Sequence, residues 1–124
     1  MIPKIISPSQ HGLADWGFVA WLLIVPRLLN VNKKAQKMYN AFAADVVAIN
    51  SITNHGVGVS PIVSVKTHRK VDYANLALLG GLTAAKSIRK DSVALKFHIG
   101  LIGLAVVTIL LTDYDDQNPQ QQSK

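Results

Sequence analysis

A His-x-x-x-Asp pair stands at His11 and Asp15 and again, 57 residues later, at His68 and Asp72, each copy followed by an aromatic residue, Trp16 or Tyr73. Between the copies the chain is mostly apolar and divides into helix-length stretches, which points to a duplicated helical unit with a polar signature at its mouth. Ser7 and Ser64 keep the same spacing of 57. The second helix of each unit aligns at an offset of 59, which sets Lys37 on Lys96, Met38 on Phe97, Thr53 on Thr112, Asn54 on Asp113 and His55 on Tyr114. The two-residue drift is a difference in loop length.

Ser7, Pro8 and Gln10 form a capped helix start, and helix 1 is expected from about Pro8 to Asn30. At 1.5 Å per residue such a helix reaches the ~30 Å of a bilayer core. Pro26 removes one backbone hydrogen bond and can kink it. Helix 2 is expected over about Lys34 to Asn54. Its Asn40, Asp45, Asn50 and Ser51 suit surroundings of protein rather than lipid, and Ala41, Ala44 and Ala48 allow close helix approach. Gly56, Gly58, Ser60 and Pro61 break the chain after His55. Helix 3 is expected from Ser64 to about Lys90, with Gly80/Ala84 and Gly81/Ala85 at the spacing of a helix contact. Helix 4, from Val93 to Tyr114, is capped near Asp91 and Ser92 and carries an uncharged run from Phe97 to Thr112. The Gln-rich tail, 115–124, reads as disordered.

The chain is 49% hydrophobic and 16% charged, against about 25% charged in an average soluble domain, which favours a membrane protein. Its 13 Lys and Arg lie in short clusters between apolar stretches. That arrangement suits the flanks of membrane helices and argues against a nucleic-acid partner. The absence of cysteine excludes disulfides, thiolate catalysis and cysteine-ligated metal centres. Lys4 precedes an apolar run, but no small-x-small cleavage site follows, so the run reads as a retained helix.

The expected fold is all-α: four transmembrane helices in a single domain, 1–114, built as two tandem helical hairpins related by a pseudo-two-fold axis along the membrane normal. Repeat 1 spans about 7–55 and repeat 2 about 64–114. This topology gathers His11, Asp15, Asn54, His55, His68, Asp72, Asp113 and Tyr114 at one face. Eight cations (Arg27, Lys33, Lys34, Lys37, Lys86, Arg89, Lys90 and Lys96) fall at the other, against five on the His/Asp side. By the positive-inside rule both termini face away from the cytoplasm.

Three segments resemble the small bacterial membrane proteins with SPW repeats: Ser7 to Asp15, the Val-Pro-Arg-Leu-Leu ending at Leu29, and the Leu-Leu-Thr-Asp-Tyr ending at Tyr114. The join from Ser51 to Asp72 is similar too. The Ser-Pro-Trp itself is missing, with Pro26-Arg27 in the first place and Ala84-Ala85 roughly in the second. The resemblance implies a bacterial inner-membrane protein and names no reaction.

His and Asp at i and i+4 share a helix face about 6 Å apart, and the carboxylate can fix the histidine tautomer. As a polar brace, each pair satisfies its own groups and the free carbonyls of a neighbouring helix end. As a ligand site, His11, Asp15, His68 and Asp72 offer nitrogen and oxygen donors suited to Zn, Mn or Fe, and His11 with His68 suits a bis-His haem. Asp45, midway along helix 2, is the candidate intramembrane polar group for an ion path, or else the partner of Asn75 or a tyrosine. His98 is expected at the interface, and Ser7 and Ser64 serve as caps rather than nucleophiles. No enzyme constellation is present. The leading expectation is a structural or accessory membrane component, in contact with lipid, forming a homo-oligomer or part of a larger complex. A ligand-, metal- or haem-binding membrane protein is the alternative, and a soluble four-helix bundle the second.

Overall fold

Every long helix begins where a short polar side chain takes up a free backbone N–H. In the computed structural model, which describes residues 2–115, Ser7 accepts from the Gln10 N–H while the Gln10 side chain accepts from the Ser7 N–H, closing a capping box ahead of α1 (Pro8–Leu28). Asn32 caps α2 (Lys33–Ile52), Ser64 caps α3 (Val65–Leu82) and Asp91 caps α5 (Ser92–Leu111). A four-residue α4 (Lys86–Arg89) lies between α3 and α5. The fold is all-α, with no strand among the described residues. Caps sit at equivalent places of the two repeats, Ser7 with Ser64 and Asn32 with Asp91. The last two also bond to each other, Asn32 Nδ2 donating to Asp91 Oδ2 at 3.0 Å, and these bonds hold the Asp91 carboxyl below its usual range.

α1 packs mainly on α2 and α3 on α5, with sparser contact between the two pairs. Leu22, Tyr39, Leu79, Ile88 and Leu101 are fully buried between them. The extended residue before the first helix of each hairpin pairs with the end of the other hairpin: Ile6, ahead of α1, bridges Thr112 after α5, and Val63, ahead of α3, bridges Thr53 after α2.

Several expectations change. Helix 3 stops at Leu82 instead of running to Lys90, because Gly80-Gly81 contributes little to helix stability and Thr83 caps the end. Those glycines make no helix contact; a Cβ on either would meet nothing within 4 Å. Helix 4 of the sequence reading ends at Leu111, since Thr112 leaves the helix to pair with Ile6. His98 is not interfacial but fully buried: its Nε2–H donates to Leu79 O at 2.7 Å and its Nδ1 accepts from Tyr39 OH at 2.8 Å. Asp45 lies on the exposed side of α2, with neither Asn75 nor a tyrosine as partner among the described residues. Phe42, Val46 and Asn50 turn inward at helical spacing, and Asp45, about 100° round from Val46, falls at the edge of that face and is exposed. The exposed side of α2 also carries Ala41, Ala44 and Ala48, so this helix is not enclosed by the chain. Among the described residues, α5 alone is long and apolar enough by itself to cross a membrane, so four spanning helices are not shown. The tail expected to be disordered lies outside the described residues, apart from Asp115.

Candidate metal centre

α1 and α3 carry their His/Asp pairs to one point inside the bundle. His11 Nε2 lies 3.4 Å from Asp15 Oδ2 and 3.1 Å from Asp72 Oδ2, and His68 Nε2 lies 3.0 Å from Asp15 Oδ2 and 3.3 Å from Asp72 Oδ1. Imidazole and carboxylate therefore alternate around a square, with each histidine facing both acids. The histidines are buried, 3% and 2% exposed, and the carboxylates nearly so.

The other ring nitrogens fix the tautomers. Thr112 Oγ1 donates its one proton to Thr108 O at 2.6 Å, so toward His11 Nδ1, 2.8 Å away, it can only accept. Thr53 Oγ1 likewise donates to Ile49 O at 2.6 Å and accepts from His68 Nδ1–H at 2.7 Å. With both Nδ1 atoms protonated, each Nε2 presents either a lone pair or, on an imidazolium, a second N–H. A lone pair aimed at two carboxylates is repulsive unless a cation lies between them. Two imidazoliums would balance the two acids, and so would one divalent cation held by two neutral imidazoles.

The two histidines meet the acids differently, and His11 is the looser of the two. Its Nε2 is buried and makes no hydrogen bond, although carboxylate oxygens are close by. His68 Nε2–H, in contrast, donates to Asp15 Oδ2 at 3.0 Å, so the square suits an imidazolium brace as well as a bound cation. The four donor atoms lie within 4.8 Å of one another, while ligands at the usual metal–ligand lengths of about 2.0–2.2 Å are about 4.2 Å apart when opposite and about 3.4 Å apart in the tetrahedral arrangement of zinc. The donor set thus fits four positions of a six-coordinate ion with a small inward movement and a tetrahedral zinc with a larger one.

Two neighbours complete the surroundings. Tyr114 OH donates at 2.8 Å to Asp72 Oδ2, the oxygen that also faces His11, while Oδ1 faces His68; burial and the Asp72 charge push the Tyr114 phenol up. His55 stands behind His68, ring centroids 5.9 Å apart. Its Nε2–H donates to Asn50 Oδ1 at 2.7 Å, and Asn50 Nδ2 donates to Gly12 O at 3.0 Å. Burial first, and then the nearby His68, lower the His55 pKa to about 4. His55 is accordingly expected to stay neutral in an NMR pH titration until about pH 4. Because this shift lies below the ordinary histidine value, its contribution to stability is present above about pH 6.5 and is lost as pH falls toward 4.

Gly12 lets this packing form. A Cβ there would sit 2.5 Å from Val57 Cγ2 and 2.7 Å from His55 Nε2. Gly12→Ala is therefore expected to lower stability by about 1–3 kcal/mol, the usual cost of overpacking, as a drop in the thermal midpoint.

Of the expected site residues, His11, Asp15, His68 and Asp72 meet directly, Tyr114 joins through Asp72, and His55 lies behind them. Asn54 and Asp113 do not join them. Asn54 pairs through its backbone N–H with Val63 O while its buried Oδ1 has no hydrogen bond, and the Asp113 carboxylate accepts from the Asp115 N–H. Both follow a bridging threonine in extended chain, where successive side chains point to opposite sides. A bis-His haem does not fit, because Asp15 and Asp72 occupy the space between the imidazoles that a porphyrin needs. Sequence reasoning placed Thr53 and Thr112 near the cluster without their role as holders of the two Nδ1–H groups. Their signal is a threonine at the same place in both repeats. Asn50 and Asn75 carried no such signal.

Comparison with known protein families, with curated proteins and with solved structures finds no match to this chain.

Proposed function

We propose that this protein is a small integral membrane protein of two tandem helical hairpins that binds one divalent transition-metal ion between His11, Asp15, His68 and Asp72. The observation that carries this reading is the convergence of two imidazole nitrogens and two carboxylates at one buried point, all four donor atoms within 4.8 Å of one another, with each Nδ1 held by a threonine. Two imidazoles and two carboxylates suit Zn, Mn or Fe. The paired threonines supply the outer hydrogen bonds that hold metal-binding histidines in one tautomer. Bound there, the ion would join α1 to α3 and so tie one hairpin to the other, an accessory, structural role that needs no reaction. It would also supply Lewis acidity at a buried point.

The membrane setting draws support from α5, from the sparse charge, and from large apolar side chains left exposed on α1 and α5, including Leu13, Ile24, Leu104 and Val107. The resemblance to SPW-repeat proteins supports an inner-membrane location, and the loop cations support termini outside the cytoplasm. A pseudo-two-fold axis is supported by the equivalent bridges, Ile6–Thr112 with Val63–Thr53, and by the equivalent bonds, His11–Thr112 with His68–Thr53. Small residues on the open side of α2 suit self-association or docking in a larger complex.

The test is to express the full chain, separate membranes from supernatant, purify in mild detergent without chelator and measure metal content. The expected result is membrane-bound protein with one metal ion per chain, and none in a His11→Ala/His68→Ala double variant. Protein in the supernatant without detergent would overturn the membrane reading. Purified protein that neither retains nor takes up a metal would overturn the metal reading and leave the square as an ion-pair brace.

A further inference from the structure

Beside the His/Asp square lies a half-open cavity with about 50 Å³ of free space, lined by all four long helices. His11, Asp15 and Asp72 form its polar end, and its walls are mostly apolar, among them Phe18, Phe42 and Ile109. We propose that this cavity seats a neutral, gas-sized molecule, of the class of dioxygen and nitric oxide, against the metal held by the square, with Asn75 bonding to its far atom. The inference rests on the metal reading above and adds the ligand that the metal takes.

Size limits the class first. The cavity has about a third of the volume of an engineered 150 Å³ cavity that admits benzene. A ring or a quinone does not fit within this space, while a diatomic molecule does. Charge limits it next, because the two carboxylates already balance a divalent ion and the mostly apolar walls, which hold no Lys or Arg, offer an anion no counter-charge. Water is a poor tenant of the apolar part, since a buried water needs two to four polar partners.

Asn75 supplies the specific contact. It lines the cavity and makes no hydrogen bond among the described residues. It stands three residues after Asp72, which a helical rise of 1.5 Å per residue converts to about 4.5 Å along α3. A molecule bound end-on at the square and pointing into the cavity thus has its far atom on the Asn75 side. The four protein donors also leave coordination positions free on an ion that prefers six, such as Fe(II) or Mn(II). Uncharged gas molecules dissolve in hydrocarbon, and the sparse packing between the hairpins gives them a way in from the lipid.

The experiment loads the full-length protein with Fe(II) in detergent without oxygen, titrates it with nitric oxide and follows the EPR signal of the high-spin iron–nitrosyl. The expected result is one nitrosyl per bound iron. Ala105→Leu, which fills the cavity from α5, keeps the iron and loses the nitrosyl. Asn75→Leu, of nearly the same volume, keeps the iron and weakens nitric oxide binding by about tenfold, the loss of one buried hydrogen bond. It also serves should the Ala105 variant fail to fold. Iron bound without a nitrosyl signal, or a signal equally strong in both variants, overturns this proposal alone. Failure to bind iron or any other divalent metal overturns the metal reading and this proposal with it.

Discussion

Replacing His68 with alanine is expected to abolish metal retention and to lower stability by about 3–5 kcal/mol, the cost of removing one partner from a buried charge pair. His68 lies closer to Asp15 than His11 does, 3.0 Å against 3.4 Å, and it stands between that carboxylate and Asp72. Its loss leaves two acids, both largely buried, facing each other with His11 alone between them. Asp15→Ala is expected to act similarly, leaving each imidazole one acid short. Thermal unfolding in detergent, with and without added metal, measures both effects. A quadruple variant with leucine at positions 11, 15, 68 and 72 separates stability from binding. Replacing a whole buried ion network with apolar side chains is often neutral or stabilising, so it is expected to regain stability while binding no metal. Single variants as stable as the parent would show that the square does not form.

The second large effect is expected from residues that do not touch the metal. Thr53→Val and Thr112→Val keep side-chain shape and delete the acceptor for one Nδ1–H each. Outer-shell losses of this kind cost about 10–100-fold in metal affinity. The two variants should lose similar amounts, because the threonines hold equivalent histidines in equivalent repeats. Thr→Ser at either place retains the hydroxyl and is expected to restore most of the affinity. Competition titration against a chromogenic chelator reads all four variants. A loss at one threonine and none at the other would contradict the equivalence of the two halves.

The centre was legible in the sequence because it is written twice. A spacing of 57 for the first helices and 59 for the second aligned His11 with His68, Asp15 with Asp72 and Thr53 with Thr112, and the helix caps repeat with them. What repetition could not show was orientation. Asp45 lies one helical step from the inward-facing Val46, and a shift of one position decides whether a side chain meets protein or solvent. Asn54 and Asp113 fall in extended chain, where alternation turns them away from their neighbours. His98 stood among the lysines and arginines of the loops, yet Tyr39 and Leu79 O satisfy its two nitrogens and make burial possible. The end of α3 and the short α4 depend on Gly80-Gly81 and on a turn held by backbone bonds, which hydrophobic spacing does not record.

X-ray absorption at the edge of the metal that the purified protein retains tests the central claim most directly. The expected spectrum has a first shell of nitrogen and oxygen only, with two imidazoles at about 2.0–2.1 Å and carboxylate oxygens completing it. In the His11→Ala/His68→Ala double variant the imidazole scattering disappears. A retained metal whose shell lacks imidazole, or a spectrum unchanged in the double variant, would contradict the assignment of this site.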